Sequence, residues 1–320
     1  MTLGMDLVGQ RGPADLAALG TRVAANVSSA VRVAPEAVRS MLIALLAGGH
    51  VLIEDYPGVG KTALARALAA SIDTDCARVQ CTADMLPSDL VGANVYVQRD
   101  ARFEFRPGPV FSNIVLVDEI NRASPKTQSG LLECMQERRV TVDGVTHELA
   151  RPFVVIATQN PIEFDGTYSL PQAQLDRFMV RLTLGYPSAA DESAMLAEHA
   201  GGDRVLELSP VSTVAEVVAA QDALALVHAS EPLRRYVVAL ADATRRDPRT
   251  QLGASPRAAL MLLKAATVQA ALESRDHVLP DDVQALAHVV LGHRLMLAPG
   301  VPDTARREIV DDGLAAVPAL

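Results

Sequence analysis

The sequence predicts an α/β domain with a mostly parallel sheet, followed by a smaller all-helical domain. Short apolar runs bounded by turn signals recur at 50–54, 77–80, 114–117 and 153–157, each beside a helical segment. Such alternation is expected when strands are buried on both faces and joined by crossover helices. After Pro187 these runs cease, and Ala-rich amphipathic segments follow at 188–200, 212–228, 231–246, 256–274 and 280–297. A length of 320 residues also suits a large domain plus a smaller one. The expected division is an N-terminal helical extension at 1–34, an α/β core at 35–188 and a helical domain at 189–320.

In chain order, residues 13–47 read as two helices, the second opened by Pro35 and stopped by Gly48-Gly49. His50-Val51-Leu52-Ile53-Glu54 is the first strand. Arg102-Phe103-Glu104-Phe105, ahead of Arg106-Pro107-Gly108-Pro109, reads as a small strand excursion. Val140-Thr141-Val142 and Val145-Thr146-His147-Glu148-Leu149 flank Asp143-Gly144, the signature of a tight hairpin. Both pieces are read as small β insertions on the core. Aromatic residues are scarce and Trp is missing, so Ala, Leu, Val and Met must fill the interior, which suits closely packed helices.

Charge and cysteine usage narrow the partners. Thirty-eight acidic against 29 basic residues give a net charge of −9. That works against a polyanion, because nonspecific nucleic-acid affinity comes from Lys and Arg releasing counterions from phosphates. Nucleic acid is therefore not an expected partner. No apolar run approaches the ~20 residues that span a bilayer, and the N-terminus lacks a basic start followed by an apolar stretch and cleavage site. Direct membrane insertion is not expected, and a cytoplasmic location is. Cys76, Cys81 and Cys134 show no metal-ligand spacing and an odd count, so they read as free, mostly buried thiols.

The chemistry gathers at strand ends. Behind the strand at 50–54, Tyr56-Pro57-Gly58-Val59-Gly60-Lys61-Thr62 opens a helix that continues Ala63-Leu64-Ala65-Arg66. Pro57, Gly58, Val59, Gly60, Lys61, Thr62 and Ala63 form the expected phosphate cradle. Glycines let backbone N–H groups converge on phosphate oxygens, the helix N-terminus adds partial positive charge, Lys61 reaches the β- and γ-phosphates, and Thr62 can ligate Mg²⁺. Asp55 stands where such loops usually begin with Gly. Its carboxylate is expected to tighten the turn and to point away from the phosphates.

Ile114-Val115-Leu116-Val117-Asp118-Glu119 is a buried strand ending in two acids. Asp118 would hold Mg²⁺, and Glu119 would act as the base or the water positioner for in-line attack of water on the γ-phosphate of ATP. Two carboxylates capping a following helix would look the same, but Lys61 earlier in the chain favours the catalytic reading. A third strand ends in Thr158-Gln159-Asn160, which sets Asn160 near the γ-phosphate as a polar sensor holding the water. Alone, Asn160 would equally be a turn residue before Pro161.

This order of parts resembles AAA+ ATPases, and the linking segments resemble the MoxR family in particular. The stretches carrying the likeness are Thr82-Ala83-Asp84-Met85-Leu86-Pro87-Ser88-Asp89-Leu90-Val91-Gly92, Phe105-Arg106-Pro107-Gly108-Pro109-Val110-Phe111, Asp118-Glu119-Ile120-Asn121-Arg122-Ala123, Ala157-Thr158-Gln159-Asn160-Pro161 and Gln174-Leu175-Asp176-Arg177-Phe178-Met179. The resemblance is dense over about 36–187 and absent from the first thirty or so residues. It implies an AAA+ core with a helical lid, assembled as a homo-oligomeric, hexameric ring. It also implies that Arg177 is an arginine finger for the neighbouring subunit's nucleotide. Arg257, in Gly253-Ala254-Ser255-Pro256-Arg257, would be a lid sensor acting on its own subunit's γ-phosphate. Arg181 is left without a role.

Where relatives often carry a Gly-Gln pair before the helix entering the first strand, Val33-Ala34-Pro35 stands here. Val8-Gly9-Gln10 lies far upstream, so the adenine contacts are unassigned. The resemblance further implies chaperone-like work on client proteins, in complex assembly or metal cofactor insertion, with a von Willebrand factor A domain protein as adaptor or client. The alternatives are a magnesium chelatase-like or DNA-acting AAA+ protein and a nucleotide-dependent scaffold without turnover.

Overall fold

The computed structural model describes residues 12–56, 58–160, 167–186, 188–190, 192–193 and 204–319. Helices α1 (Pro13–Ala30) and α2 (Pro35–Ala47) each begin with Pro, whose missing N–H costs no bond in a first turn. Gly48 closes α2 at φ 63, and the Gly48 and Gly49 N–H groups bond back to the Leu45 and Ala44 carbonyls. The chain then enters β1 (Val51–Glu54), α3 (Lys61–Ser71) and β2 (Cys76–Gln80). A short helix α4 (Pro87–Val91) leads into the hairpin β3 (Gly92–Val97) and β4 (Arg102–Pro107), followed by β5 (Ile114–Asp118) and α5 (Pro125–Glu137). A second hairpin, β6 (Arg139–Val142) and β7 (Val145–Glu148), precedes β8 (Val154–Gln159), the turn of helix α6 (Gln172–Leu175) and β9 (Val180–Leu182).

Five of these strands form one parallel sheet in the order β2-β5-β8-β1-β9. Its faces divide the sequence with period two. Ile114 and Leu116 join Ile53, Leu64 and Ile156 on the face covered by α1, α2 and α3, whereas Val115 and Val117 join Leu52, Val155 and Phe178 on the other. Around β1, β5 and β8 both faces are dry, which is why those strands read as unbroken apolar runs. Because β1 has β8 on one side and β9 on the other, the chain reverses direction across the sheet at β1. The carboxyl ends of β1, β8 and β5 therefore border the crevice where doubly wound sheets take ligands.

The Asp143-Gly144 turn adopts the positive φ values that a tight hairpin needs, 49 and 81. The excursion at 102–105 is half of a hairpin whose other strand, β3, the sequence did not announce: Ala93-Asn94-Val95-Tyr96 is largely solvent-facing and shows no apolar run. The two hairpins touch, with Asn94 Nδ2 donating to Asp143 Oδ2 at 2.7 Å and Phe105 stacked on His147 at 4.0 Å between centroids.

The C-terminal part consists of α7 (Val214–Ala223), α8 (Glu231–Arg246), β10 (Thr250–Leu252), α9 (Pro256–Leu272), α10 (Pro280–Leu291), β11 (Met296–Leu297) and α11 (Ala305–Ala316). Most of the helix expected at 188–200 lies outside the described residues. The segment expected as one helix over 280–297 stops at Leu291 and turns into β11, which pairs with β10, and α11 was not anticipated. One continuous apolar cluster runs from the α1–α3 face of the sheet into α7–α11, and Arg39 on α2 donates to Gln269 and Glu273 at the end of α9. Among the described residues no helix is long and apolar enough to cross a membrane.

Candidate functional site

The phosphate loop is shaped by two glycines in the left-handed region, Gly58 at φ 84 and Gly60 at φ 91, a conformation that a side chain would strain. Val59 between them is buried. Gly60 precedes α3, whose first turn carries Lys61, Thr62 and Ala63. Leu64 makes the first i→i−4 bond of the helix, to the Gly60 carbonyl at 2.9 Å. The preceding N–H groups are thus the free donors of a helix N-terminus. Pro57 lies outside the described residues.

Asp55 behaves as its position demands. It is 2% exposed, with Oδ1 accepting from Tyr56 N at 2.8 Å and Oδ2 from Leu184 N and Gly185 N at 2.6 and 2.7 Å. The carboxylate ties the loop to the segment after β9 and turns away from α3. Its carbonyl instead accepts from Lys61 Nζ at 2.8 Å. Burial pulls the Lys61 ammonium below its ordinary pKa, while Asp55, Asp118 and Glu119 oppose that shift, so the lysine lies within the field of both strand-end acids.

Asp118 ends β5 and is buried, with Oδ2 accepting from Arg78 Nε at 2.8 Å and Oδ1 from Thr158 Oγ1 at 3.3 Å. Glu119 follows at φ 55, ψ 52, a left-handed conformation uncommon outside glycine. Its N–H donates to Thr158 Oγ1 at 3.0 Å. Its Oε2 accepts from Gln80 Nε2 and from Arg122 Nε, each at 2.9 Å. Asn160, directly beyond β8, is buried between the ends of β5 and β1. Arg78, Gln80 and Arg122 hold the two acids in place; Arg122 lies in the stretch that follows them, Ile120-Asn121-Arg122-Ala123, whereas no local motif marks Arg78 or Gln80 in the sequence.

The donors suit Mg²⁺. A hydroxyl on Thr62 and a carboxylate on Asp118 are hard oxygen ligands, and Mg²⁺ is commonly bound through one or two carboxylates together with substrate phosphates and water. No cluster of three or more His, Cys, Asp or Glu occurs among the described residues. The cysteines are free, and burial pushes the Cys81 and Cys134 thiols up to about 12.

Arg177 and Arg257 stand elsewhere. Met179 N donates to the His50 carbonyl at 2.8 Å, so the segment carrying Arg177 docks at the start of β1. Arg177, Arg257, Arg138 and Lys264 line a cavity of about 490 Å³ together with Gly48 and His50. These four cations face one carboxylate, Glu137, which pairs with Arg139. Arg177 Nε is buried without a hydrogen-bond partner among the described residues. The cavity opens at the amino end of β1, whereas Lys61 lies beyond its carboxyl end, roughly 13 Å away along four residues at ~3.3 Å each. The packing of α9 sets Arg257 beside Arg177, a strand length from Lys61, whereas the resemblance has it act on its own subunit's γ-phosphate. Arg181 pairs with Glu54 across β9 and β1 at 3.0 Å.

His50 anchors this end. Val155 N donates to its Nδ1 and its Nε2 donates to the Met135 carbonyl, both at 3.0 Å, which fixes the neutral tautomer. Burial pulls its pKa from 6.5 to about 4.

Comparison with known proteins agrees with this layout. Residues 50–180 match the ATPase family associated with various cellular activities (AAA), and residues 242–312 match the AAA lid domain. A protein named YeaC in Bacillus subtilis is 52% identical over 81% of each chain. Chaperone MoxR1 of Mycobacterium tuberculosis is 39% identical over 85% of this chain and 74% of its own length. Protein MoxR of Methylorubrum extorquens is 34% identical over 91% of both. The crystal structure of a proposed ATPase from Cytophaga hutchinsonii superimposes with a TM-score of 0.89 at 36% identity, covering 96% of this chain and 97% of that one. Proteins bearing the MoxR name are thus matched along most of their length, and this chain belongs to the MoxR family of AAA+ ATPases.

Proposed function

We propose that this protein hydrolyses ATP in a hexameric homo-oligomeric ring and uses the energy to remodel or mature client proteins in the cytoplasm. The observation carrying the reading is the separation of the two half-sites: the phosphate loop and strand-end acids at one end of β1, Arg177 and Arg257 in a cationic cavity at the other. One subunit's arginines cannot serve its own Lys61 across that distance, but they suit a nucleotide held by a neighbour. Residues 35–188 then carry the nucleotide chemistry, 189–320 the lid, and 1–34 a helical extension.

In this mechanism the α3 N-terminus and Lys61 hold the phosphates. Asn160 orients the attacking water, and Glu119 accepts its proton as the oxygen closes on the γ-phosphorus in line with the leaving ADP oxygen. Thr62 and Asp118 would hold Mg²⁺, which when bound neutralises charge on the β- and γ-phosphates. Arg177 and Arg257 of the adjacent subunit neutralise the equatorial oxygens as the transition state forms.

Client work follows from kinship with a protein named as a chaperone. The exposed Tyr96, Phe103 and Val145 on the two hairpins offer apolar contacts to a client, with a von Willebrand factor A domain protein as adaptor or client. The test is complementation: Arg177→Ala and Lys61→Ala rings are each nearly inactive, and mixing them restores turnover at interfaces that pair an intact P-loop with an intact finger. Turnover independent of protein concentration, together with mixtures no better than either variant, would refute the ring mechanism.

A further inference from the structure

Arg294, just beyond α10, is a buried cation at the junction between the helical part and the segment bearing Arg177. Its side chain is 1% exposed. A guanidinium has five N–H groups in a fixed plane, and here five oxygens surround it. Nε donates to Asp176 Oδ1 at 3.0 Å, Nη1 to the carbonyls of Met179 at 3.1 Å and Val290, and Nη2 to the carbonyls of Asp176 at 3.3 Å and Phe178. Four of those oxygens belong to Asp176, Phe178 and Met179, within two residues of Arg177. His293 Nε2 adds a bond to the Phe178 carbonyl at 3.0 Å, and Gln172 Nε2 returns one to the His293 carbonyl at the same distance.

The Asp176 carboxylate reaches in a second direction. Ser255 Oγ donates to both of its oxygens, at 3.1 and 3.0 Å, while accepting from Ala258 N as the N-cap of α9. Arg257 lies two residues beyond that cap. Asp176 thus joins the Arg177 segment to the helix end that presents Arg257, and Arg294 fastens the joint from inside. Burial lowers the Arg294 pKa to about 10, against the pull of Asp176, so it remains charged at neutral pH.

We propose that Arg294 is a positioning residue, locking Asp176–Met179 to the first turn of α9 so that Arg177 and Arg257 reach a neighbour's nucleotide as one rigid pair. This rests on the trans reading of the two arginines given above. Lysine cannot replace it, because an ammonium has three donors and no fork.

The experiment compares full-length Arg294→Lys and Asp176→Asn with Arg177→Ala and the unmodified protein, each well below its own unfolding midpoint. The readouts are kcat, KM and binding of a fluorescent ATP analogue. The expected result is that kcat falls at least about tenfold, part of the ~10³–10⁵ that a finger supplies, while affinity for the analogue is unchanged. Mixing then locates the defect. Arg294→Lys subunits regain turnover with Lys61→Ala subunits, which lend an intact finger, and gain nothing from Arg177→Ala subunits.

Failure of the Lys61→Ala mixture to recover would place the defect in the variant's own P-loop and overturn the proposal. So would unmodified kcat in both variants while Arg177→Ala is inactive. Full turnover in Arg177→Ala would instead overturn the trans reading itself. Should Arg294→Lys not fold, Asp176→Asn carries the same comparison, since it keeps the shape and an acceptor for Ser255.

Discussion

At the carboxyl ends of the strands, Lys61 is held by the Asp55 carbonyl, Asp118 by Arg78 and Thr158, and Glu119 by Gln80 and Arg122. At the amino end of β1, four cations gather round a cavity and Arg177 Nε has no hydrogen-bond partner among the described residues. The first region balances its charges within one chain, whereas the second carries a surplus of positive charge. A region of the first kind can bind its substrate alone. One of the second kind acquires its complement only when something anionic enters, and a neighbour's triphosphate has the right charge.

Removing each region in turn sharpens the contrast. Arg177→Ala should lower kcat by ~10³–10⁵ with nucleotide affinity intact, because the lost charge acts in the transition state. Glu119→Gln should lower kcat by ~10²–10⁴, the usual worth of a general base, and should trap bound ATP. Lys61→Ala should weaken binding itself. Equal turnover in Glu119→Gln and the unmodified protein, measured by phosphate release, would break the assignment of the carboxyl end.

A smaller effect tests the joint between the regions. His50 has a folded pKa of about 4 against 6.5 when unfolded. As pH falls below 6.5 the unfolded state takes up the proton first, so stability that is full above that value is lost progressively down to about 4. The loss amounts to about 3 kcal/mol at ~1.36 kcal/mol per unit. Denaturant midpoints at neutral and mildly acidic pH measure it, and a His50→Asn variant should flatten the dependence. The smallest effect on turnover belongs to the hairpin: replacing 141–148 with a tight turn should leave ATP hydrolysis unchanged while client remodelling is lost. Remodelling that persists would make the hairpin decoration only.

The carboxyl end was legible in the sequence because its chemistry is written in consecutive residues. Gly58 to Thr62, Asp118-Glu119 and Thr158-Gln159-Asn160 each sit at the end of an apolar run, and parallel strands must bring such ends together. Asp143-Gly144 was equally local. Elements set by tertiary fit were not legible. β9 is three residues long with Arg181 at its centre, and β3 is mostly solvated, so neither shows a strand pattern. The position of Arg257 beside Arg177 was hidden for the same reason, since the start of α9 is tied down by contacts among Arg294, Asp176 and Ser255, which lie far apart in sequence. Arg78 and Gln80 act only through the acids they hold, and nothing in their own neighbourhood marks them.

The brevity of β1 has a further consequence. His50 at its start accepts the backbone N–H of Met179, and Asp55 at its end grips the segment after β9 and accepts from Lys61. Between them lie four fully extended residues, and an extended strand cannot lengthen. In the ring proposed above, β1 would act as a push-rod between two nucleotides, one bound by its own subunit and one touched by its arginines. Movement of the phosphate loop on hydrolysis would be delivered to the next interface nearly undiminished. Subunits coupled in that way would fire in sequence rather than at random, the stroke of one setting the timing of the next.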